Sequence, residues 1–160
     1  MSVMQKILGV LLRPYTRRKA RGLTLEQVIA ELESSGTEIM PRVLNAEDTA
    51  GNREALNHFV GIERWSANRV RVATGEVSFE LDSNRRYRLP DDASLAELQA
   101  AFQEARKESL ELARQIRASG TDTETQVRHN DLGPLTVIEW LSYIQDHPAR
   151  EIRRVRQAKG

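Results

Sequence analysis

Three capping boxes stand out along this chain, each a Ser or Thr with Glu or Gln three residues later. The pairs are Thr24–Gln27 in TLEQ, Ser94–Glu97 in SLAE and Thr136–Glu139 in TVIE, and an apolar run at helical spacing follows each. In such a capping box the hydroxyl accepts from the N–H of the third helical residue, and the longer side chain reaches back to the N–H of the cap. Three helix starts are therefore marked locally. A fourth follows the turn-like NAEDTAGN. The expected helices span about 25–44, 53–74, 95–119 and 137–157. Gly36 and Pro41 should bend or interrupt the first. Between the second and third lies GEVSFELDSNRRYRLPDD, where alternating Val77, Phe79 and Leu81 permit a short strand or hairpin, with a structured loop preferred. Four long helices with one longer crossover give an all-α four-helix bundle.

The length of 160 residues suits one core. Residues 1–22 read as a basic extension, with VMQKILGVLL packed on the bundle or in an interface, and 23–160 as the bundle itself. The run ILGVLLRPY is too short to span a bilayer, and no small-residue cleavage site follows it. No membrane partner is expected. Basic residues cluster in RPYTRRKAR (13–21) and REIRRVRQAKG (150–160), yet the net charge is only +1 and no nucleic-acid motif is present, so nucleic acid is not an expected partner.

Cysteine is absent. That excludes disulfides, thiolate zinc sites, iron–sulfur clusters and a protein thiol nucleophile, and fits a cytoplasmic setting. A metal would need His, Asp or Glu, and the histidines are His58, His129 and His147.

At 3.6 residues per turn, Val137, Leu141, Ile144, Pro148, Ile152 and Val155 form one stripe on the last helix. Trp140 and His147 flank it, and Glu151 falls inside it. The second helix repeats the pattern: Leu56, Phe59, Ile62 and Val70 make its face, Glu63 lies within that face, and His58 lies on its edge. A carboxylate in an apolar stripe must be protonated, paired with a cation or bound to a metal. Bundle cores build metal sites from such inward groups, whereas a plain salt bridge to one of many arginines is the simpler outcome. Pro148 should kink the last helix and disfavour helical backbone at His147. His129, in VRHNDLGPL, reads as a loop cap, and Trp65 and Trp140 as core or pocket-wall aromatics.

The segments ALNHFVGIERWSANRV and HNDLGPLTVIEWLSYIQDHPAREIRRV resemble the DinB/YfiT-like superfamily, over roughly residues 24–157. The resemblance implies a four-helix bundle of metal-dependent hydrolase or thiol transferase type, and a homodimer. It implies a divalent ion, zinc or nickel in several members, held by three histidines: one from the second helix and two at i and i+4 on the last. His58 and His147 match the first two positions. Glu151 stands at the third, so the ligand set becomes two histidines and one carboxylate, which suits zinc, nickel, manganese or iron(II), or else the site has degenerated. A low-molecular-weight thiol and a small electrophile are the implied partners, with Glu63 as base or orienting residue. The competing expectation is a non-catalytic, stress-linked interaction protein that keeps the bundle and has lost the ion.

Overall fold

The computed structural model describes residues 19–20 and 22–158; the expectation for the N-terminal extension lies outside these residues apart from Lys19, Ala20 and Gly22. All three capping boxes form. Thr24, Ser94 and Thr136 accept from the backbone N–H of Gln27, Glu97 and Glu139, whose side chains accept from the cap N–H at 2.8, 2.8 and 2.9 Å. They start α1 (Leu25–Leu44), α3 (Leu95–Ser119) and α4 (Val137–Glu151). Helix α2 (Ala50–Ala73) begins three residues before the expected start, because the Thr49 hydroxyl caps Asn52 N–H at 3.2 Å. Helix α3 stops at Gly120, whose φ of 63° costs glycine little.

Helix α2 packs along α3 and α4, and α1 packs along the same two, so α1 and α2 face each other across the helical layer. Among the described residues, the buried ones form two apolar clusters. One gathers Leu32, Ile62, Trp65, Leu135, Trp140 and Ile144. The other gathers Ile39, Leu56, Phe59, Leu98, Phe102 and Val155.

The all-α expectation needs one correction. Residues that read as a loop make an antiparallel hairpin, β1 (Gln126–His129) and β2 (Gly133–Thr136), with His129 opposite Gly133. Gly133 takes a φ of 79°, the left-handed backbone that this turn needs. Helix α1 runs through Gly36 and Pro41 without interruption, and α4 runs through Pro148. The last helix ends earlier than 157. After Glu151 the chain tightens into a 3-10 turn, Ile152–Arg154, and then pairs with the loop after α1: Glu47 N–H donates to Arg156 C=O at 2.9 Å and Ala158 N–H to Asn45 C=O at 2.8 Å.

The crossover is a loop with a 3-10 turn at Asn84–Tyr87 rather than a strand. Asp82 organises it, accepting from Trp65 Nε1 at 2.9 Å, Arg69 at 2.5 Å and Tyr87 Oη at 2.6 Å. Asn57 on α2 clamps the far end through both backbone groups of Leu89, at 2.9 and 3.0 Å.

Gly61 is where the crossover meets α2. A Cβ there would lie 2.6 Å from Asn84 C=O and 2.8 Å from Arg88 Cγ. Helix propensity alone gives Gly61→Ala a gain of up to about 1 kcal/mol. Overpacking against a backbone carbonyl should reverse the sign, to a loss of about 1–3 kcal/mol. Chemical denaturation followed by circular dichroism checks the sign; a raised midpoint would show that the turn yields freely.

Candidate metal centre

Because α4 stays helical through Pro148, His147 and Glu151 keep their i,i+4 relation on one face. The carbonyl that Pro148 leaves without its helical donor is that of Ile144, and Arg106 on α3 donates to it at 3.4 Å. Helix α2 packs against α4 and brings His58 to this pair. His58 Nε2 lies 3.0 Å from His147 Nε2, His147 Nε2 lies 3.5 Å from Glu151 Oε1, and His58 Nε2 lies 3.9 Å from Glu151 Oε2. Among the described residues, these three make the one group of His, Asp and Glu side chains whose ligand atoms lie within 4.8 Å of one another.

The spacing can be compared with what a small divalent ion needs. Tetrahedral donors about 2.0–2.1 Å from zinc stand about 3.3 Å apart. The observed separations bracket that value, so the three side chains can hold an ion with small adjustments. Burial drives the His147 pKa down to about 3, helped by the nearby His58 and Arg150. Burial also lowers that of His58, against the pull of Glu151. Both rings are thus neutral at physiological pH, the form that ligates metals.

One contact works against ligation. Arg88 Nη2 lies 3.0 Å from His58 Nδ1. A guanidinium can only donate, so Nδ1 accepts and the proton of the neutral ring sits on Nε2, the atom turned toward His147. In this state the two imidazoles form a hydrogen-bond chain, Arg88 to His58 to His147. Arg88 Nη1 donates in turn to Glu54 Oε1 at 2.7 Å. Metal-ligating histidines usually donate their second N–H to an acceptor, which Arg88 is not.

Glu63 is not part of this group. It is fully buried, with Arg106 Nε 2.9 Å from Oε1 and Arg106 Nη2 donating to Oε2 at 3.1 Å. Burial raises its pKa, with Arg106 opposing. Glu63, expected as a base or orienting residue at the ligands, is a carboxylate bound to Arg106 of another helix. Glu151 is also less buried than its place in the stripe implied: its side chain is 28% exposed, at the mouth of the site. Arg88 and Glu54 were missed. Arg88 lies in a crossover without periodicity, and Glu54 is one of many charged helix residues; only its i,i+4 spacing to His58 offered a signal.

His129 caps the hairpin turn, as its loop position suggested. Its Nδ1 accepts from Asp131 N–H at 3.1 Å and Leu132 N–H at 3.2 Å. Its ring stacks on Trp140 at 5.2 Å and meets Trp65 and Tyr143 edge-on. The two tryptophans are core, with Trp140 Nε1 donating to Val127 C=O at 3.2 Å. Burial, then Arg69, pushes the His129 pKa down to about 3. A histidine held neutral in the fold stabilises it above the unfolded pKa near 6.5, and that stability is lost as pH falls toward 3. Between pH 6.5 and 5, His129→Asn, which keeps a turn acceptor, should lower the slope of stability against pH by up to about 1.4 kcal/mol per unit. Denaturation at stepped pH measures it; an unchanged slope would mean that His129 takes up its proton in the fold just as it does in the unfolded chain.

Comparison with protein-family models, with curated proteins and with solved structures finds no match to this chain. The functional reading therefore rests on the residues themselves.

Proposed function

We propose that this chain is a metal-dependent enzyme of the DinB-like type, a thiol transferase or hydrolase, with a divalent ion held by His58, His147 and Glu151. The observation that carries this reading is the convergence of two neutral imidazoles and a carboxylate from α2 and α4, at donor spacings that suit one ion. A divalent ion with three protein donors lowers the pKa of a bound water or thiol toward neutrality. His58 and Glu151 both line a cavity of about 670 Å³, which gives a small electrophile and a thiol co-substrate room beside the ligands. With cysteine absent from the chain, the thiol is supplied from outside.

The second reading, a non-catalytic bundle, is favoured by Arg88 alone, since its bond to His58 Nδ1 completes a metal-free arrangement. The experiment that separates the two is metal content by inductively coupled plasma mass spectrometry. It uses untagged protein, as purified and after loading with zinc, nickel, manganese or iron(II). About one ion per chain is expected, with a weaker complex in Glu151→Gln, followed by turnover of a chromogenic electrophile with a small thiol. Metal content that stays at zero after loading would sink the enzyme reading. An unchanged affinity in Glu151→Gln would remove Glu151 as ligand.

A further inference from the structure

The cavity that His58 and Glu151 line has other lining residues, which the proposed metal does not use. Arg154 and Arg156 are among them, with Ala55, Phe59 and the first turn of α2. By sequence these arginines belong to a basic tail that could have been mere solvated charge. The fold fixes their backbone instead. Asn52, 3% exposed, accepts from Arg156 N–H at 3.0 Å and donates to Arg156 C=O at 2.8 Å. Ile152 and Val155, on either side of Arg153 and Arg154, are anchored in the core.

The charges around the cavity are unequal in their compensation. Glu54, on the cavity wall, is already paired with Arg88 at 2.7 Å, and Glu151 faces the two histidines. Among the described residues no carboxylate lies within 4.0 Å of the Arg154 or Arg156 guanidinium, whereas Arg106 and Arg150, elsewhere in the chain, have such partners. Two uncompensated guanidiniums, on exposed side chains carried by a fixed backbone beside a partly apolar hollow, form a complement to a small organic anion. The planar fork of each donates in parallel to the oxygens of a carboxylate or phosphate, and the apolar wall receives the carbon part.

We propose that this cavity binds a small anionic substrate, its carboxylate or phosphate group seated on Arg154 and Arg156 and its other end directed at His58 and Glu151. The anion site stands on the cavity and the arginines; that the far end reacts rests on the metal-enzyme reading.

The test is isothermal titration of the full chain with inorganic phosphate, succinate and uncharged succinamide, first metal-free and then zinc-loaded. The metal-free chain should bind succinate, phosphate or both, with succinamide weaker. Arg154→Gln/Arg156→Gln should weaken anion binding by at least about tenfold, as expected for lost hydrogen bonds to a charged group. Its zinc stoichiometry and far-ultraviolet circular dichroism should not change, and Arg154→Lys/Arg156→Lys should recover part of the affinity. Which of phosphate and succinate binds names the oxyanion. Equal affinity for succinate and succinamide, no anion binding by the parent chain, or full affinity in the double Gln variant would each overturn the proposal. Arginine-dependent anion binding by a chain that takes up no zinc would uphold the anion site and remove the metal reading. Zinc uptake without anion binding would do the reverse.

Discussion

Arg106→Met should destabilise the fold by about 3–5 kcal/mol, the usual consequence of stranding a buried charge. Arg106 stands on α3 and is nearly inaccessible. It reaches α2 through the Glu63 carboxylate, α1 through Ser35 Oγ at 2.9 Å, and α4 through Ile144 C=O. One side chain therefore joins α1, α2, α3 and α4, and its loss leaves a carboxylate, a hydroxyl and a proline-freed carbonyl without it. The variant should also acquire a distinctive pH response. Burial already raises the Glu63 pKa and Arg106 counteracts it, so without Arg106 the carboxyl rises further. A carboxyl with a raised folded pKa favours the fold while protonated, and that contribution is lost as pH rises through the folded value. Arg106→Met should thus lose least in mild acid and most at neutral pH. Glu63→Met/Arg106→Met removes both charges at similar volume and should recover most of the stability. Urea unfolding at several pH values reads all three. A double variant as unstable as the single would mean that Arg106 acts through Ser35 and Ile144 rather than through Glu63.

How far the sequence foretold this arrangement depends on how local each cause is. The starts of α1, α3 and α4 were legible because a capping box lies within four residues. Thr49 gave no such sign, since Asn52 stands where a Glu or Gln would complete the box. The end of α4 was overextended because Ile152 and Val155 continue the helical apolar spacing and are indeed buried, while the backbone tightens into a 3-10 turn after Glu151 and residues 156–158 then pair with residues 45–47. The hairpin escaped notice because its strands have four residues each and one carries Pro134. What holds it, the capping by His129 and the left-handed Gly133, has no period to detect. Glu63 was visible as a carboxylate in an apolar face, but spacing cannot say which of many arginines will meet it. His58, His147 and Glu151 were each suspected, and helix packing brings them together. Arg88, which decides the proton position on His58, comes from the crossover and was invisible to any helical rule.

His147→Ala and Arg88→Met should move zinc affinity in opposite directions. Removing His147 takes away a donor whose Nε2 is 3.0 Å from that of His58, and affinity should fall by more than the roughly 10–100-fold that outer partners of a metal site carry. Arg88 is such an outer partner with the wrong polarity. It donates to His58 Nδ1. A neutral imidazole that gives its Nε2 lone pair to a metal must carry its proton on Nδ1, where it needs an acceptor. An incoming ion therefore has to displace Arg88 as well as find its ligands. Glu54 is one helical turn before His58 and already bound to Arg88, so it is the acceptor at hand once Arg88 is gone. Arg88→Met preserves most of the packing of the stem over Gly61 and should raise zinc affinity by about 10–100-fold. Adding Glu54→Gln should cancel much of that gain. Competition against a chromophoric chelator measures each constant, with circular dichroism to confirm the fold. Lower affinity in Arg88→Met would place Arg88 among the supports of the ion and refute the proton assignment on His58. If neither the parent nor Arg88→Met takes up zinc, the three side chains form a hydrogen-bonded cluster and the non-catalytic bundle is the correct reading. If only Arg88→Met takes it up, Arg88 is what keeps the parent chain metal-free, and its pairing with Glu54 becomes the feature that sets whether an ion can enter.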